Sequence, residues 1–231
     1  GLEMVQQPFQ SYLNEYIEGK ITEREMLRGV EWYSRWRYDF RLYRPIFDYA
    51  KQHGIPLIAL NIPQELTRKI SKVGIDGLTL KERKLLPEVI DKSNAEYTKR
   101  LRKVFSMHAH GKTFNKKGFN RFVEAQLAWD EGMAFAASKY LKKHPKQRMV
   151  ILAGSGHLID RAGIPSRIDR LLKLSPENRS LVILSHEDKK YSSKEADVSL
   201  ATNNVKLAPA GLIGIGMKDT KQGVKISKIV T

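Results

Sequence analysis

The chain has 231 residues, of which 41% are hydrophobic and 29% are charged, a composition typical of a folded globular protein. It contains no cysteine, which excludes disulfides, iron–sulfur clusters, a catalytic thiol and a thiolate ligand to haem iron. No apolar run reaches the roughly 18 residues that a membrane-spanning helix needs.

The net charge of +16 is concentrated in one part of the chain. Between Glu65 and Arg121 there are fifteen Lys and Arg residues against six Asp and Glu residues. A basic stretch of this kind attracts nucleic acid, anionic lipid headgroups or anionic small molecules, or it keeps the protein in solution. No nucleic-acid-binding motif accompanies the charge, so we expect no nucleic-acid partner. Membrane-surface association and an anionic small-molecule ligand both stay open.

The first part of the chain predicts a strand followed by short helices. Residues 2–5 are typical of a strand, and Pro8 opens a helix that Gly19 ends. Thr22 and Glu25 form a capping box at the start of the next helix.

The aromatic segment, residues 32–49, comes next along the chain and includes Tyr43 and Arg44. Its helical part is predicted from about Pro45 to His53. Most of these rings are expected to belong to the hydrophobic core.

Strands and helices are then predicted in alternation as far as residue 185. Residues 55–60 form a continuous apolar run that indicates a buried parallel strand, as do residues 148–153 and 180–185. Helices are predicted between these strands. One begins at Pro63, a second runs from a capping box at Thr79 to about residue 105, a third covers residues 116–143, and a short fourth begins near Pro165.

This alternation predicts an α/β fold for residues 1–200, with a mostly parallel sheet flanked by helices. Residues 205–231 predict a short β-rich C-terminal appendage, with a β-hairpin around residues 219–223. An isolated hairpin is only marginally stable, so this appendage is either an edge addition or the truncated start of a second domain.

Polar residues at three predicted strand ends indicate a ligand site, because open α/β sheets bind ligands at the carboxyl ends of their strands. Glu3 lies on or just after the first strand, Asn61 follows the second, and Gly154-Ser-Gly-His157 follows the third. The glycines allow the backbone to approach a ligand closely, and His157 is able to bind a metal or transfer protons. Alternatively, His157 caps a helix or bonds to a carbonyl group.

Side chains elsewhere add to this candidate site. Gln126 and Asp130 lie four residues apart on one face of the long helix, where Asp130 either orients His157 or belongs to a solvated flank. Tyr43 is an available ligand for haem iron, and Arg44 is available to pair with a carboxylate or a propionate. His108 and His110 are two residues apart, but no third metal ligand accompanies them.

An ordered set of motifs resembles a known family, the ChaN-like haem-binding uptake domain of the Tiki/TraB/erythromycin-esterase superfamily. The motifs are Glu3-Met, Arg44-Pro-Ile, the Gly-Ile-Pro-Leu-Ile-Ala-Leu-Asn run at 54–61, the Ala-Gln-Leu-Ala-Trp-Asp-Glu run at 125–131, Gly154-Ser-Gly-His157 and the Gly-Ile-Pro-Ser-Arg run at 163–167. The resemblance covers roughly residues 1–190. The tail from about residue 209 is similar to the opening strands of a PDZ domain.

The resemblance implies a role in bacterial haem or iron uptake, in the cell envelope, often as a lipid-anchored lipoprotein. It also implies haem as the cofactor, bound in some family members between two subunits, so that a homodimer is expected. The superfamily includes metal-dependent proteases and esterases with paired Gly-x-x-His motifs. Residues 154–157 match the second motif, and the first is expected to precede Gly1.

Three hypotheses follow, of which a haem-binding protein is preferred over an enzyme. In the first, iron is held by His157 or by a tyrosine such as Tyr43, and the residues expected at the cofactor are Tyr43, Arg44, Asn61, Gln126, Asp130, Gly154 and His157. In the second, the protein is a metal-dependent hydrolase in which His157 binds a divalent metal or acts as the base, aided by Glu3, the other predicted metal ligand, and by Asp130. In the third, the PDZ-like tail makes the chain an interaction module.

Overall fold

A short parallel sheet lies among helices in the computed structural model, which describes residues 1–108, 115–188, 190–208, 215–220 and 223–229. The strands are β1 (Leu2–Gln6), β2 (Ala59–Asn61), β3 (Ile183–His186), β4 (Val198–Ala201), β5 (Ile215–Thr220) and β6 (Gly223–Ile229). The helices are α1 (Gln10–Ile17), α2 (Glu23–Gly29), α3 (Trp32–Arg35), α4 (Arg44–Gln52), α5 (Gln64–Val73), α6 (Leu80–Arg83), α7 (Ala95–His108), α8 (Lys116–Lys143) and α9 (Ile164–Leu172). Within the described residues, none of the helices combines the length and the apolar character needed to span a bilayer.

The pairing of the strands confirms the predicted α/β class. β1 runs parallel to β2, with Leu2 opposite Ala59, and Leu2 also forms a parallel bridge with Leu152. β3 and β4 form a second parallel pair, and β5 and β6 form an antiparallel hairpin close to the predicted position. Whether that hairpin begins a PDZ-like domain stays a prediction, and residues 209–214 lie outside the described residues.

Two predicted elements are shorter than their apolar patterns indicated. The strand predicted at 55–60 is regular only over Ala59–Asn61, since Pro56 has no N–H group to donate to a neighbouring strand. The segment at 148–153 contributes only the bridge at Leu152, and two residues further on the N–H group of Gly154 donates to the Glu3 carboxylate and not to a strand.

The helical pattern predicted from Thr79 to residue 105 is interrupted. α6 ends at Arg83 and α7 begins only at Ala95, where Asn94 accepts a hydrogen bond from the Tyr97 N–H group. Pro87 accounts for the break, because a proline removes a helical donor and disfavours the helical conformation of the residue before it. The Thr79 capping box itself is present, as is the one at Thr22.

The long helix α8 matches its predicted bounds and forms the centre of the molecule. Its inward side is rich in alanine and glycine, which allows close approach of β2 and α9: Leu60, Met133 and Ala137 pack with Ile164. In the same helix, Asp130 and Glu131 are fully buried, so two carboxylates are held inside the fold.

The aromatic segment packs around Trp32, which is 1% exposed. The rings of Phe40, Tyr43 and Phe47 meet the Trp32 ring edge-on at centroid distances of 5.1, 5.2 and 5.9 Å. The Trp32 indole also donates a 2.8 Å hydrogen bond to the Tyr38 carbonyl oxygen. This contact fixes the backbone of the turn between α3 and α4. The prediction that most rings of the segment belong to the core is wrong: Trp32, Phe40 and Phe47 are buried, but Tyr33, Tyr38 and Tyr49 are 58–60% exposed, and Trp36 and Tyr43 are half-buried.

We expect Trp32→Phe to lower the free energy of unfolding by about 2 kcal/mol, because it leaves a gap and an unpaired Tyr38 carbonyl group. The neighbouring Tyr33→Phe provides the control, since the Tyr33 side chain is 60% exposed, and its effect should stay within about 0.5 kcal/mol. Urea unfolding followed by circular dichroism measures both. Equal effects of the two variants would contradict the role given to Trp32.

Candidate functional site

His157 lies at the edge of the sheet, in a tight turn that follows the strand-like segment at 148–153. Its backbone N–H group donates to the Gly154 carbonyl oxygen at 2.9 Å, which closes the turn. The side chain is 13% exposed, and its ring meets the edge of the Trp129 ring at a centroid distance of 5.0 Å. The predicted Gly-Ser-Gly-His loop therefore turns the imidazole into the protein.

Carboxylates contact both nitrogens of the imidazole. Nδ1 of His157 lies 2.5 Å from Oδ1 of Asp130, and Nε2 lies 3.4 Å from Oε1 of Glu3. Asp130 is 1% exposed and Glu3 is 4% exposed. The structure thus places Asp130 as the partner that orients His157, the first of the two alternatives for this residue.

Glu3 and Asn61 connect this histidine to the sheet. The second Glu3 oxygen, Oε2, accepts a 2.6 Å hydrogen bond from the Gly154 N–H group. The Asn61 amide donates to the Glu3 backbone oxygen at 2.8 Å, so Asn61 holds the strand and makes no hydrogen bond to His157. Glu3, Asn61 and the 154–157 loop meet at one edge, although Glu3 is the second residue of β1 and does not lie at its carboxyl end, whereas Asn61 is the last residue of β2.

Tyr97 of α7 completes a chain of four polar groups, Tyr97–Asp130–His157–Glu3. Its hydroxyl donates to Oδ2 of Asp130 at 2.6 Å. Burial and the Asp130 carboxylate raise the pKa of the Tyr97 hydroxyl far above its usual value, so this group stays a proton donor. Both oxygens of the buried Asp130 carboxylate therefore have partners, which such a group needs.

The imidazole of His157 is positively charged at neutral pH. Burial lowers the pKa of His157, but the hydrogen bonds and the charges of Asp130 and Glu3 raise it by more, and the result is a pKa of about 10. A histidine with this pKa is a poor proton acceptor at pH 7.

Arg167 of α9 braces the segment that packs against His157. It is 3% exposed and donates to the carbonyl oxygens of Ala162 and Gly163 at 2.5 and 2.8 Å. Its guanidinium group also lies 4.8 Å from the centre of the Tyr97 ring and 3.3 Å from the Glu131 carboxylate. Glu131 in turn accepts hydrogen bonds from Arg170. A second buried ion-pair cluster therefore lies directly beside the first.

Three of the predicted cofactor residues lie outside this site. Tyr43 is half-buried against Trp32 and Trp36, and burial raises the pKa of its hydroxyl. Arg44 forms a two-point ion pair with Glu23 at 2.6 and 2.7 Å. Gln126 is half-buried, and its side chain makes no hydrogen bond to the described residues.

Sequence reasoning gave no role to Tyr97 or Glu131, and it quoted Arg167 only as part of a motif. Tyr97 shows helical spacing with Leu101, which indicates a buried face but not a partner for its hydroxyl group. One signal was available in the sequence: Asp130 and Glu131 are neighbours within an apolar stretch of helix. Buried carboxylates require cations or hydrogen-bond donors, so this pair indicated that such partners exist without identifying them.

A cleft of about 220 Å³ opens beside this site, at the carboxyl ends of β1 and β2. This volume is below the roughly 300–1,000 Å³ of most sites for drug-sized ligands. Its lining combines two indoles with polar side chains: Met4, Gln6, Arg35, Trp36, Asn61, Ile62, Gln64, Thr67 and Trp129.

The two predicted metal ligands, Glu3 and His157, contact each other directly, with Nε2 of His157 3.4 Å from Oε1 of Glu3. In the part of the chain that the structure describes, no group of three or more His, Cys, Asp or Glu side chains is arranged to hold a metal ion. His110 lies outside the described residues.

Comparison with known proteins places these features in a family. Residues 1–168 match the family described as haem-binding uptake, Tiki superfamily, ChaN. The chain belongs to this family. The matched residues include all four groups of the Tyr97–Asp130–His157–Glu3 chain, together with Arg167.

Two relatives extend the comparison. A solved structure that shows cofacial haem binding to ChaN of Campylobacter jejuni has a TM-score of 0.60 at 20% identity, over 88% of this chain and 72% of that chain. The chain is also 23% identical over 216 residues to protein RETICULATA-RELATED 5, chloroplastic, of Arabidopsis thaliana, covering 87% of this chain. It spans only 28% of the length of that plant protein. The first likeness establishes the shared fold.

The raised pKa of His157 predicts a loss of stability at alkaline pH. Because the folded-state pKa is about 10 against an ordinary value of 6.5, this stabilisation is fully present below about pH 6.5 and is lost as the pH rises through 10. We expect a contribution on the order of a few kcal/mol to the unfolding free energy. Asp130→Asn should lower the pKa of His157 and flatten this pH dependence. NMR titration of the His157 ring proton measures the pKa, and urea unfolding at several pH values measures the pH dependence of stability. An unchanged pH dependence in Asp130→Asn would contradict the role given to the Asp130–His157 pair.

Gly163 is predicted to be essential for the position of His157. A Cβ atom at Gly163 would collide with the His157 carbonyl group, whereas a Cβ atom at Gly156 would meet nothing within 4 Å. Gly163→Ala should therefore destabilise the protein by about 1–3 kcal/mol and shift the NMR signal of the His157 ring. Gly156→Ala, in the 154–157 loop, is the control and should leave the stability and the NMR signal of the His157 ring unchanged. A silent Gly163→Ala variant would refute this prediction.

Proposed function

We propose that this chain binds haem and acts in haem uptake or handling. The observation that carries the proposal is the match of residues 1–168 to the haem-binding ChaN family, because it includes the complete buried site and the aromatic segment. Haem, when bound, supplies an iron centre within a flat, largely apolar ring that carries two propionate groups. The protein must therefore supply an axial ligand, a flat apolar surface and cations.

We infer that His157 supports the haem site and does not bind the iron. Both of its nitrogens face buried carboxylates, and its pKa of about 10 keeps the ring protonated at neutral pH. An imidazolium has no lone pair to offer to iron. Releasing the ring would also leave the Asp130 and Glu3 carboxylates buried without their cation, at a large cost in free energy.

The aromatic segment offers better candidates. The side chains of Tyr33 and Tyr38 are 60% and 59% exposed, and Tyr38 lies against the ring of Trp36 at 5.4 Å. Arg37 lies between them in the sequence, and its guanidinium group has no carboxylate partner among the described residues. A phenolate is an established type of haem ligand, and a guanidinium without a carboxylate partner suits a propionate. The geometry therefore favours Tyr33 or Tyr38, with Arg37, over the half-buried Tyr43 and the ion-paired Arg44.

The predicted homodimer, cell-envelope location and lipid anchor are also part of the proposal. A homodimer fits a haem site on an exposed aromatic surface, since a porphyrin bound there leaves one of its faces uncovered. A bacterial cell-envelope location and a lipid anchor stay predictions. The metal-dependent hydrolase stays the alternative, with Glu3 and His157 as its nearest pair of ligands.

Titration with haemin, followed by the Soret absorbance band, tests the proposal. We expect saturable binding with a Soret shift, and Tyr33→Phe/Tyr38→Phe should weaken it by about tenfold or more. Tyr12→Phe/Tyr49→Phe is the matched control, because these tyrosines are also exposed (38% and 58%) and Tyr49 stacks on His53, just past α4, at a centroid distance of 4.1 Å.

His157→Asn separates the two kinds of ligand. Binding should persist in this variant once circular dichroism has confirmed that it is folded. Loss of the Soret shift in folded His157→Asn, with normal binding by the double tyrosine variant, would reverse the assignment of the ligand. No Soret shift in the unmodified protein would reject the haem proposal, and stoichiometric zinc or manganese with ester or peptide cleavage would establish the hydrolase instead.

A further inference from the structure

The N-terminal end of α8 carries a cluster of exposed lysines. Lys116 and Lys117 open the helix and are exposed. Lys103 on α7 and Lys81 on α6 are exposed as well. None of the four lysines has an ion-pair partner among the described residues, where Lys99, in contrast, pairs with Glu96 at 3.6 Å.

Contacts around the first turns of α8 bring these segments to one end of the molecule. On one side, the Phe105 ring of α7 packs against those of Phe119 and Phe122 at 5.6 and 5.5 Å. On the other side, the Ile75 N–H group donates to the Glu124 carboxylate at 3.3 Å, and Asp76 lines an open depression together with Lys116 and Lys117. α6 begins three residues after that turn, at Leu80.

Large apolar side chains stand exposed among these lysines. Leu80 is 87% exposed, the highest value for a large apolar residue in the described part of the chain, and Met107 is 76% exposed. Lys99, Lys103 and Met107 follow one another at four-residue spacing and so share one face of α7. The opposite face of α7 is buried through Tyr97 and Leu101. The fold thus leaves a basic surface with apolar projections, which we call the basic–apolar end: Leu80, Lys81, Lys103, Met107, Lys116 and Lys117.

We propose that the basic–apolar end docks on the surface of a membrane that contains anionic lipids. Clustered lysines are attracted to the negative surface potential of such a membrane, and exposed apolar side chains enter the boundary between headgroups and acyl chains. The exposed Leu80 and Met107 side chains favour lipid over nucleic acid, because they add nothing to phosphate contacts. Single-stranded nucleic acid is bound with stacking aromatic rings, whereas the Phe105, Phe119 and Phe122 rings at this end pack against one another.

Sedimentation with lipid vesicles tests this proposal. The intact chain should bind vesicles of phosphatidylcholine mixed with phosphatidylglycerol and not vesicles of phosphatidylcholine alone, and added salt should weaken the binding. Each neutralised lysine should lower the partition coefficient about fivefold, so changing Lys81, Lys103, Lys116 and Lys117 to Gln together should abolish measurable binding.

The opposite end of α8 provides a matched control with the same change in net charge. Lys139, Lys142, Lys143 and Lys146 are all exposed there, and changing them together to Gln should lower vesicle binding much less. Equal losses in the two quadruple variants would show attraction by net charge alone and would overturn the proposal.

A second variant tests the apolar part of the surface without changing any charge. Leu80→Ser/Met107→Ser should reduce vesicle binding several-fold, and the reduction should persist at a salt concentration that screens the lysines. Unchanged vesicle binding by this variant, together with tight binding of a single-stranded oligonucleotide by the intact chain, would identify a nucleic-acid surface and reject the membrane. Both variants change only exposed side chains, so circular dichroism should report an unaltered fold.

Discussion

The buried contact between Asp130 and His157 joins the middle of the longest helix to the loop at the edge of the sheet. A carboxylate inside a protein needs a counter-charge and hydrogen-bond donors, because desolvation is otherwise too costly. His157 supplies a shared proton and a positive charge between Asp130 and Glu3. Without that imidazolium, two buried carboxylates would face each other. The positions of β1, α8 and the 154–157 loop therefore depend on one another.

The rest of the site continues this arrangement outward from α8. Asp130 and Glu131 are consecutive, so their side chains point about 100° apart around the helix and reach different partners. Asp130 contacts His157 and Tyr97, while Glu131 contacts Arg167 and Arg170. Arg167 also packs on the Tyr97 ring, which couples the two clusters. A network in which each charged group is paired makes a rigid edge, and a rigid edge is suited to supporting a ligand surface.

Exposed features are concentrated away from this network. The aromatic segment buries Trp32 and presents Tyr33 and Tyr38 to the solvent, while the basic–apolar end lies at the start of α8. The partners that we propose for the two surfaces differ: a flat aromatic ligand for the first and an anionic lipid surface for the second.

Much of the fold and part of the site were predictable because they depend on local patterns. The apolar periodicity of α8, the capping boxes at Thr22 and Thr79 and the Gly-Ser-Gly-His turn are each written in a few neighbouring residues, and the structure contains all of them. Pro87 interrupts a helical pattern that periodicity alone extended too far, since the ring of a proline overrides the apolar spacing around it.

The sequence by itself determined the α/β class, the positions of Asn61 at the end of its strand and of His157 in the turn after residues 148–153, and the basic character of the segment from residue 65 to residue 121. The tertiary structure decided the partners. Tyr97 and Arg167 come from two different helices, and no spacing along the chain indicates that Tyr97 pairs with Asp130 or that Arg167 packs on the Tyr97 ring. Pairing of buried charges is set by distances in the folded state, which chain order does not encode. The same reason explains why a histidine that the sequence offers as an iron ligand is held between two carboxylates.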